Sequence, residues 1–376
     1  ANNIGIRQED ISATDGDLSA AGNTISLATG EIDVGVIGIY QDDLSASGSL
    51  SLGANTISVQ AGYDDYVYVD GVSINQTDLS ADTVTLGKDL INLNFGNDSY
   101  SDGDRSGTIA INQHGITVGA EGSAGSLDVS GEHITLAAGS DAELTFSDVT
   151  IDQHNLFAQS IDLSSQIIDL HIGGGEDAGS YLSTGNVGIA QHAMSIGGEI
   201  TATGDQITLA AGVDSALHLG NVYINQTDLS ASSIDLSNAQ IGFSGTDGDL
   251  SAGAITITQH NLTAVESITT GNNITLAGEH VRVTDISIDQ YSLSAAEISL
   301  GANTINVTAH DVHTSNVGIN QHDITTGGED GITISANLIN LSASDDLSGS
   351  SITINQANIT ASANDLSLAG NTINLS

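Results

Sequence analysis

One short pattern recurs along the whole chain, and it restricts the fold more than any other feature. Two aliphatic residues are separated by one residue, and a glutamine lies two positions after the second, as in Ile37-x-Ile39-x-Gln41. A further aliphatic residue comes three positions after each glutamine. The pattern begins near residues 4, 37, 72, 109, 149, 187, 222, 255, 286, 317 and 352. A self-similar period of 31–40 residues is typical of solenoids and other repeat architectures.

A second pattern indicates what each repeat is made of. Segments such as Asn55-Thr56-Ile57-Ser58-Val59 follow the glutamine, and a shorter segment such as Ile298-Ser299-Leu300 lies between the two. Their alternation has the period of two that β-strands show, and no segment sustains the 3.6-residue period of a helix. The chain also has no Pro, which fits strands paired on both sides, because Pro cannot donate to a ladder.

These patterns predict an all-β fold, a single-domain parallel β-solenoid (β-helix) over residues 1–376 with about eleven coils. We expect one repeat per coil, because the shortest repeat has 31 residues and half of it could not hold three strands and three corners. Coils stacked at the spacing of paired strands give a rod roughly 50 Å long. Loops should absorb the length differences between repeats, and the longest of them runs from Phe95 to Ile109.

The charge of the chain excludes several functions. Asp and Glu total 47 against four Lys and Arg, a formal net charge of −43. Nucleic-acid binding needs basic side chains against phosphates, and docking to anionic lipid needs them too. No apolar run reaches the length that crosses a bilayer. We therefore expect no nucleic-acid partner and no membrane insertion, and a surface that attracts cations.

The glutamines are the clearest candidates for a structural role. Each has the same parity as the two aliphatic residues before it, so all of them should point into the core. Stacked primary amides can then donate to one another from coil to coil, which satisfies a buried polar group by repetition. The predicted ladder comprises Gln8, Gln41, Gln76, Gln113, Gln153, Gln191, Gln226, Gln259, Gln290, Gln321 and Gln356.

A histidine follows the glutamine in five repeats. These residues are His114, His154, His192, His260 and His322, and the first three lie in consecutive repeats. Clustered imidazoles could bind metal or respond to pH. Thr77, Thr227, Tyr291 and Ala357 occupy the same position in other repeats, so outward-facing polar stacking is the favoured interpretation.

Acidic residues beside glycines are candidates for calcium ligands, since Ca²⁺ takes several oxygen atoms. The alternative is that they are solvated acidic turns. The candidates are Asp15, Asp17, Asp98, Asp102, Asp104, Asp247 and Asp249.

The aliphatic-x-aliphatic strands, Asn and Gly corners and Ser, Thr and Ala filling resemble the β-helix repeats of filamentous-haemagglutinin-type adhesins and other bacterial surface proteins. The resemblance covers the whole chain and implies an elongated protein, extracellular or at the cell surface. No G-x-S-x-G, H-E-x-x-H or P-loop pattern occurs, and we expect no enzyme. A polysaccharide-active enzyme that uses paired acids is the second alternative.

We expect the chain to be a structural fibre or surface-matrix protein. The first strand begins at Ile4 and the sequence ends in mid-repeat, so we expect open coil ends that stack head to tail. A rival explanation is that the 376 residues are cut from a longer adhesin, as its stalk or binding segment. A glycan site in such a segment should show exposed aromatic residues, and Tyr63, Tyr66 and Tyr68 form the one aromatic cluster in the sequence.

Overall fold

The computed structural model describes residues 3–63, 65–100, 106–119, 125–173, 179–245, 247–327, 331–362 and 365–376. These residues form a parallel β-solenoid without a helix, which confirms the predicted fold class. The strands of the first five repeats are β1 (Ile4–Ala13), β2 (Leu18–Ala20), β3 (Thr24–Thr29), β4 (Ile32–Ala46), β5 (Ser49–Leu52), β6 (Thr56–Ala61), β7 (Val67–Thr77), β8 (Ser80–Ala81), β9 (Thr83–Leu86), β10 (Leu90–Phe95), β11 (Ser106–His114), β12 (Thr117–Val118), β13 (Ser126–Asp128), β14 (His133–Ala138), β15 (Glu143–Phe146), β16 (Val149–His154), β17 (Ser160–Asp162), β18 (Ile167–Ile172) and β19 (Tyr181–Thr184).

The later strands are β20 (Val187–Ser195), β21 (Glu199–Thr201), β22 (Gln206–Ala211), β23 (Ala216–Gly245), β24 (Asp249–Ala295), β25 (Glu297–Leu300), β26 (Thr304–Thr326), β27 (Ile332–Ile334), β28 (Leu338–Ser348), β29 (Ser351–Ala361), β30 (Leu366–Leu368) and β31 (Thr372–Leu375). Three of the later strands, β23, β24 and β26, are much longer, because nearly every residue of their coils, corners included, pairs with a neighbouring coil.

Each repeat forms one coil and pairs in parallel with the next repeat. On the glutamine-bearing face β1, β4, β7, β11, β16 and β20 follow one another. The register holds equivalent residues side by side, as where Gln41 pairs with Gln8 before it and Gln76 after it. The face of the Asn-Thr-Ile segments stacks in the same way through β3, β6, β10, β14, β18 and β22.

The structure has a fourth short strand in segments where we expected only loops. Strand β15 pairs with β19, and β19 pairs with the start of β23. In β15 the side chains of Leu144 and Phe146 are buried, whereas Glu143 is exposed and Thr145 half-buried. Two inward side chains among polar and glycine neighbours make too short an alternation to recognise from the sequence.

A left-handed residue turns the chain after every glutamine. Two positions beyond the glutamine, φ lies between 50° and 67° in all eleven coils. This residue explains the odd spacing of three, because it reverses the parity and lets glutamine and the next aliphatic residue both point inward. Asp, Asn and Gly tolerate the conformation best and dominate the position. Its members are Asp10, Asp43, Asp78, Gly115, Asn155, Ala193, Asp228, Asn261, Ser292, Asp323 and Asn358.

The interior contains two apolar clusters that run along the rod. The larger contains residues such as Ile39, Ile57 and Val69, and the smaller contains residues such as Leu44 and Leu50. Within each coil the chain passes from the larger cluster to the smaller one at the glutamine. It returns just before the Asn-Thr-Ile segment. Polar side chains occupy both crossing points.

Candidate functional site: two stacked polar columns

The eleven predicted glutamines form one unbroken column. The amide nitrogen of each donates to the side-chain oxygen of the glutamine one coil earlier, and the ten bonds measure 2.7–3.1 Å. The nine inner glutamines have no exposed surface, whereas Gln8 and Gln356 in the end coils are half-buried. All ten bonds run in the same direction, so the column has a donor end and an acceptor end.

A second column lies opposite, formed by the first residue of each Asn-Thr-Ile segment and its equivalents, and we call it the corner column. Its side-chain oxygens accept the backbone N–H of the equivalent residue one coil earlier, in eight bonds of 2.5–3.2 Å. The Ala in the seventh coil has no such acceptor. The corner column consists of Asn23, Asn55, Asp89, Glu132, Gln166, Asp205, Ala239, Asn272, Asn303, Asn337 and Asn371.

The two columns contact each other in two ways. Toward both ends of the rod a corner Asn donates to the glutamine oxygen, as from Asn55 to Gln41 at 3.0 Å and from Asn303 to Gln290 at 2.8 Å. In the middle coils the direction reverses at two of the three acidic corner residues. Gln226 donates to Oδ2 of Asp205 at 3.2 Å, and Gln113 donates to Glu132 at the same distance.

Three carboxyl groups are therefore buried in the core. Asp89, Glu132 and Asp205 are at most 1% exposed. Burial raises the pKa of Asp89 and of Asp205 to about 7, and hydrogen bonds from the neighbouring coils oppose the shift only in part. Burial, followed by the charge of Asp89 one coil away, raises the pKa of Glu132 well above its usual value. Oδ2 of Asp89 has no hydrogen-bond partner among the described residues.

Together the columns form a polar partition between the two apolar clusters. A buried amide without a partner costs about 1–3 kcal/mol. Sliding one coil against the next by one residue would break the glutamine bond and the corner bond together. The partition therefore favours a single register, which apolar packing between similar aliphatic residues would specify less strictly.

The histidines form a column on the outer surface. The rings of His114, His154 and His192 stack with centroids 5.0 and 4.9 Å apart. Tyr291 stacks between His260 and His322 at 4.8 and 5.0 Å. Both stacks are only partly buried.

Three groups of side chains among the described residues bring metal-ligating atoms within 4.8 Å of one another. They are Asp152 with His154 and His192, His310 with Asp311 and Asp345, and Asp42 with Asp43 and Asp78.

None of the five predicted calcium ligands that the structure describes belongs to these groups. Asp17 accepts the backbone N–H of Ser49 at 2.7 Å, and Asp98 and Asp247 take left-handed turn conformations with φ of 55° and 54°. Asp15 and Asp249 are described but also lie outside the three groups. Asp102 and Asp104 lie outside the described residues. Calcium binding at the acidic turns stays a prediction.

Comparisons with known proteins give no relative from which a function could be transferred. No protein-family model matches the chain, and neither a curated protein nor a solved structure matches it. The part of the chain that the structure describes contains no apolar helix of membrane-spanning length. What the chain does must therefore be inferred from its own geometry.

Proposed function

We propose that this protein is a structural fibre or surface-matrix protein, extracellular or at the cell surface, whose rods associate head to tail. The observation that carries the proposal is the polarity of the glutamine column. Every amide donates toward the first coil, so a coil added in the same orientation continues the column. A second rod in the same orientation would pair Gln8 of one subunit with Gln356 of the other.

The apolar surfaces of the end coils support the same contact. In the last coil the exposed fractions of Leu366, Leu368, Ile373 and Leu375 are 42–55%. Ile11 in the first coil is 40% exposed. Stacking one coil on another would bury these side chains, and strand edges without partners are templates for further pairing. Because the contact joins different surfaces and does not close, it yields an open filament.

Electron microscopy and light scattering of the purified protein, with and without salt, test the proposal. We expect filaments of constant width, favoured by salt or by bound cations because each subunit carries a formal charge of −43. Leu375→Lys should abolish them by placing a charge in the contact. Val265→Lys is the matched control, since Val265 is 76% exposed and lies away from the end coils. Monodisperse rods at high concentration, with salt and calcium present, would overturn the proposal.

A second candidate function is that of a binding segment in a large adhesin, of the filamentous-haemagglutinin kind that the repeats resemble. Tyr66 is 53% exposed and its ring lies 6.1 Å from that of Tyr68 and 6.3 Å from that of Tyr100. Exposed aromatic faces suit the apolar faces of sugars. Binding of neutral glycans that is lost in Tyr66→Ala would favour this function.

A further inference from the structure

Beside the stack of three histidines lies the carboxylate of Asp152, which contacts two of the rings. Asp152 precedes His154 by two residues, so both side chains point outward from the same strand. His192 is the equivalent of His154 in the next coil. Oδ1 of Asp152 lies 3.3 Å from Nδ1 of His154 and 3.3 Å from Nε2 of His192.

These distances are those between ligands of one metal ion. With Zn–N and Zn–O bonds of 2.0–2.2 Å, two ligand atoms of a tetrahedral site lie about 3.4 Å apart. The three ligand atoms fall within 4.8 Å of one another. Side-chain exposure is 35% for Asp152, 24% for His154 and 38% for His192, so an ion can reach them from solvent.

Oδ1 of Asp152 is hydrogen-bonded to the His154 ring, a contact that an ion between the two atoms would replace, and the residue opposite Asp152 in the next coil adds no further donor. The residue paired with Asp152 there is Ala190, which has no polar group to occupy Oδ1. Gly188 lies two residues earlier, and the ring of Tyr223 packs over it so closely that a Cβ would lie 2.2 Å from the ring. The phenol is half-buried, and burial, with the charges of Asp152 and Asp148, raises its pKa. Gly188, Ala190 and the ring of Tyr223 thus border the cluster.

The second stack provides a natural comparison. There Asp289 takes the place of Asp152, but Tyr291 replaces the first histidine. Asn320 donates to Oδ1 of Asp289 at 2.7 Å, and Ser287 donates to Oδ2 at 2.8 Å. Both carboxylate oxygens accept these hydrogen bonds, and of the two positions equivalent to His154 and His192 only His322 offers a ring nitrogen.

We propose that Asp152, His154 and His192 bind one divalent first-row transition ion, with water completing its coordination. Two imidazoles and one carboxylate suit Zn²⁺, Co²⁺ or Ni²⁺ and not Ca²⁺, which prefers oxygen ligands alone. The strongly acidic surface raises the local concentration of any cation, whereas the imidazole pair selects among cations. The site is independent of whether the rods form filaments.

Calorimetric titration of the full chain with Zn²⁺, in the presence of excess Ca²⁺, tests the proposal, and Co²⁺ absorption reports the ligand geometry. We expect one site that survives Ca²⁺ and that weakens at least tenfold in Asp152→Asn and in His192→Ala. The controls are His322→Ala in the second stack and His310→Ala in the group of His310, Asp311 and Asp345. Neither should change the affinity. Far-UV circular dichroism of each variant without metal checks that it folds.

Two results would overturn the proposal. One is Zn²⁺ binding that excess Ca²⁺ displaces, which would indicate attraction to the acidic surface alone. The other is Zn²⁺ affinity that is unchanged in both Asp152→Asn and His192→Ala while these variants remain folded.

Discussion

The two polar columns occupy similar places in every coil, yet the residue type is constant in one column and varies in the other. The glutamine column has the same residue eleven times, whereas the corner column contains Asn, Asp, Glu, Gln and one Ala. The difference follows from where each column finds its donors. A glutamine must donate to the glutamine before it and accept from the glutamine after it, which an amide does and a carboxylate cannot do. The contact common to the corner side chains is accepting a backbone N–H, which a carboxylate does equally well.

The same reasoning explains where the acidic corner residues lie. For two of the three acids a glutamine turns its amide toward the carboxylate, as Gln226 does toward Asp205, whereas Asp89 has no such donor among the described residues. An amide is needed where the corner residue must itself donate, as Asn303 does to Gln290. The carboxylates cost stability when charged, because they are buried without a cation. The columns therefore differ in pH response as well as in sequence.

The largest expected effect comes from putting a carboxylate into the glutamine column. Gln191→Glu removes the amide that donates to Gln153 at 3.1 Å and to the carbonyl of Leu163 at 3.0 Å. The new carboxylate then faces the side-chain oxygen of Gln153, so that two acceptors meet. We expect a loss of about 3–5 kcal/mol in the free energy of unfolding, the range for an uncompensated buried charge. Urea unfolding followed by circular dichroism measures it. Gln206→Glu, on the exposed side of the same coil, should change stability by less than about 0.5 kcal/mol.

The converse change, Asp205→Asn in the corner column, should stabilise the protein at alkaline pH. The pKa of Asp205 is about 7 in the folded chain and about 3.9 when unfolded. The folded chain therefore holds this proton more tightly than the unfolded chain does. The resulting stability is present in full below about pH 4 and is lost as the pH rises through 7. Three pKa units correspond to about 4 kcal/mol, which sets the upper limit of the gain at pH 8. The gain should vanish near pH 4.

Urea unfolding of the wild type and of Asp205→Asn between pH 4 and 8 measures this gain. Asp214→Asn removes the same charge from an exposed position and should leave the pH dependence of the wild type nearly unchanged. An equal effect of both substitutions would mean that general charge repulsion, and not the buried carboxyl, sets the pH dependence.

A smaller loss is expected where an acid is placed at a corner that must donate. Asn303→Asp keeps the oxygen that accepts from the backbone of Asn272 but removes the donor to Gln290. We expect a loss of about 2–3 kcal/mol at pH 8, from one lost bond to a buried acceptor and partial ionisation. At pH 4 the protonated carboxyl can donate, so most of the stability should return. A loss that is the same at both pH values would contradict this explanation of the corner column.

The sequence was sufficient to predict the coils and the glutamine column, because both repeat with the same residue types in the same register. It did not reveal the corner column as one feature. Asn55 and Asn303 were visible as polar residues before a strand. Asp89, Glu132 and Asp205 are acidic residues, a type that usually lies on the surface. Their burial follows from pairing with backbone groups of another coil. The Asp152 and His192 contact likewise depends on Ala190 being opposite Asp152, which only the register reveals.

The smallest expected effect concerns the left-handed corner, which the odd spacing after each glutamine could have revealed. Ala193 takes this conformation with φ of 58°, between Asn155 one coil before and Asp228 one coil after. A left-handed conformation costs an L-residue about 1–2 kcal/mol, and Asn tolerates it better than Ala. Ala193→Asn should therefore stabilise the protein by about 0.5–1 kcal/mol, measured by urea unfolding. Ala46→Asn, at a half-buried strand residue without positive φ, is the control and should not stabilise. If both substitutions had the same effect, backbone conformation would not be what selects Asp and Asn at these corners.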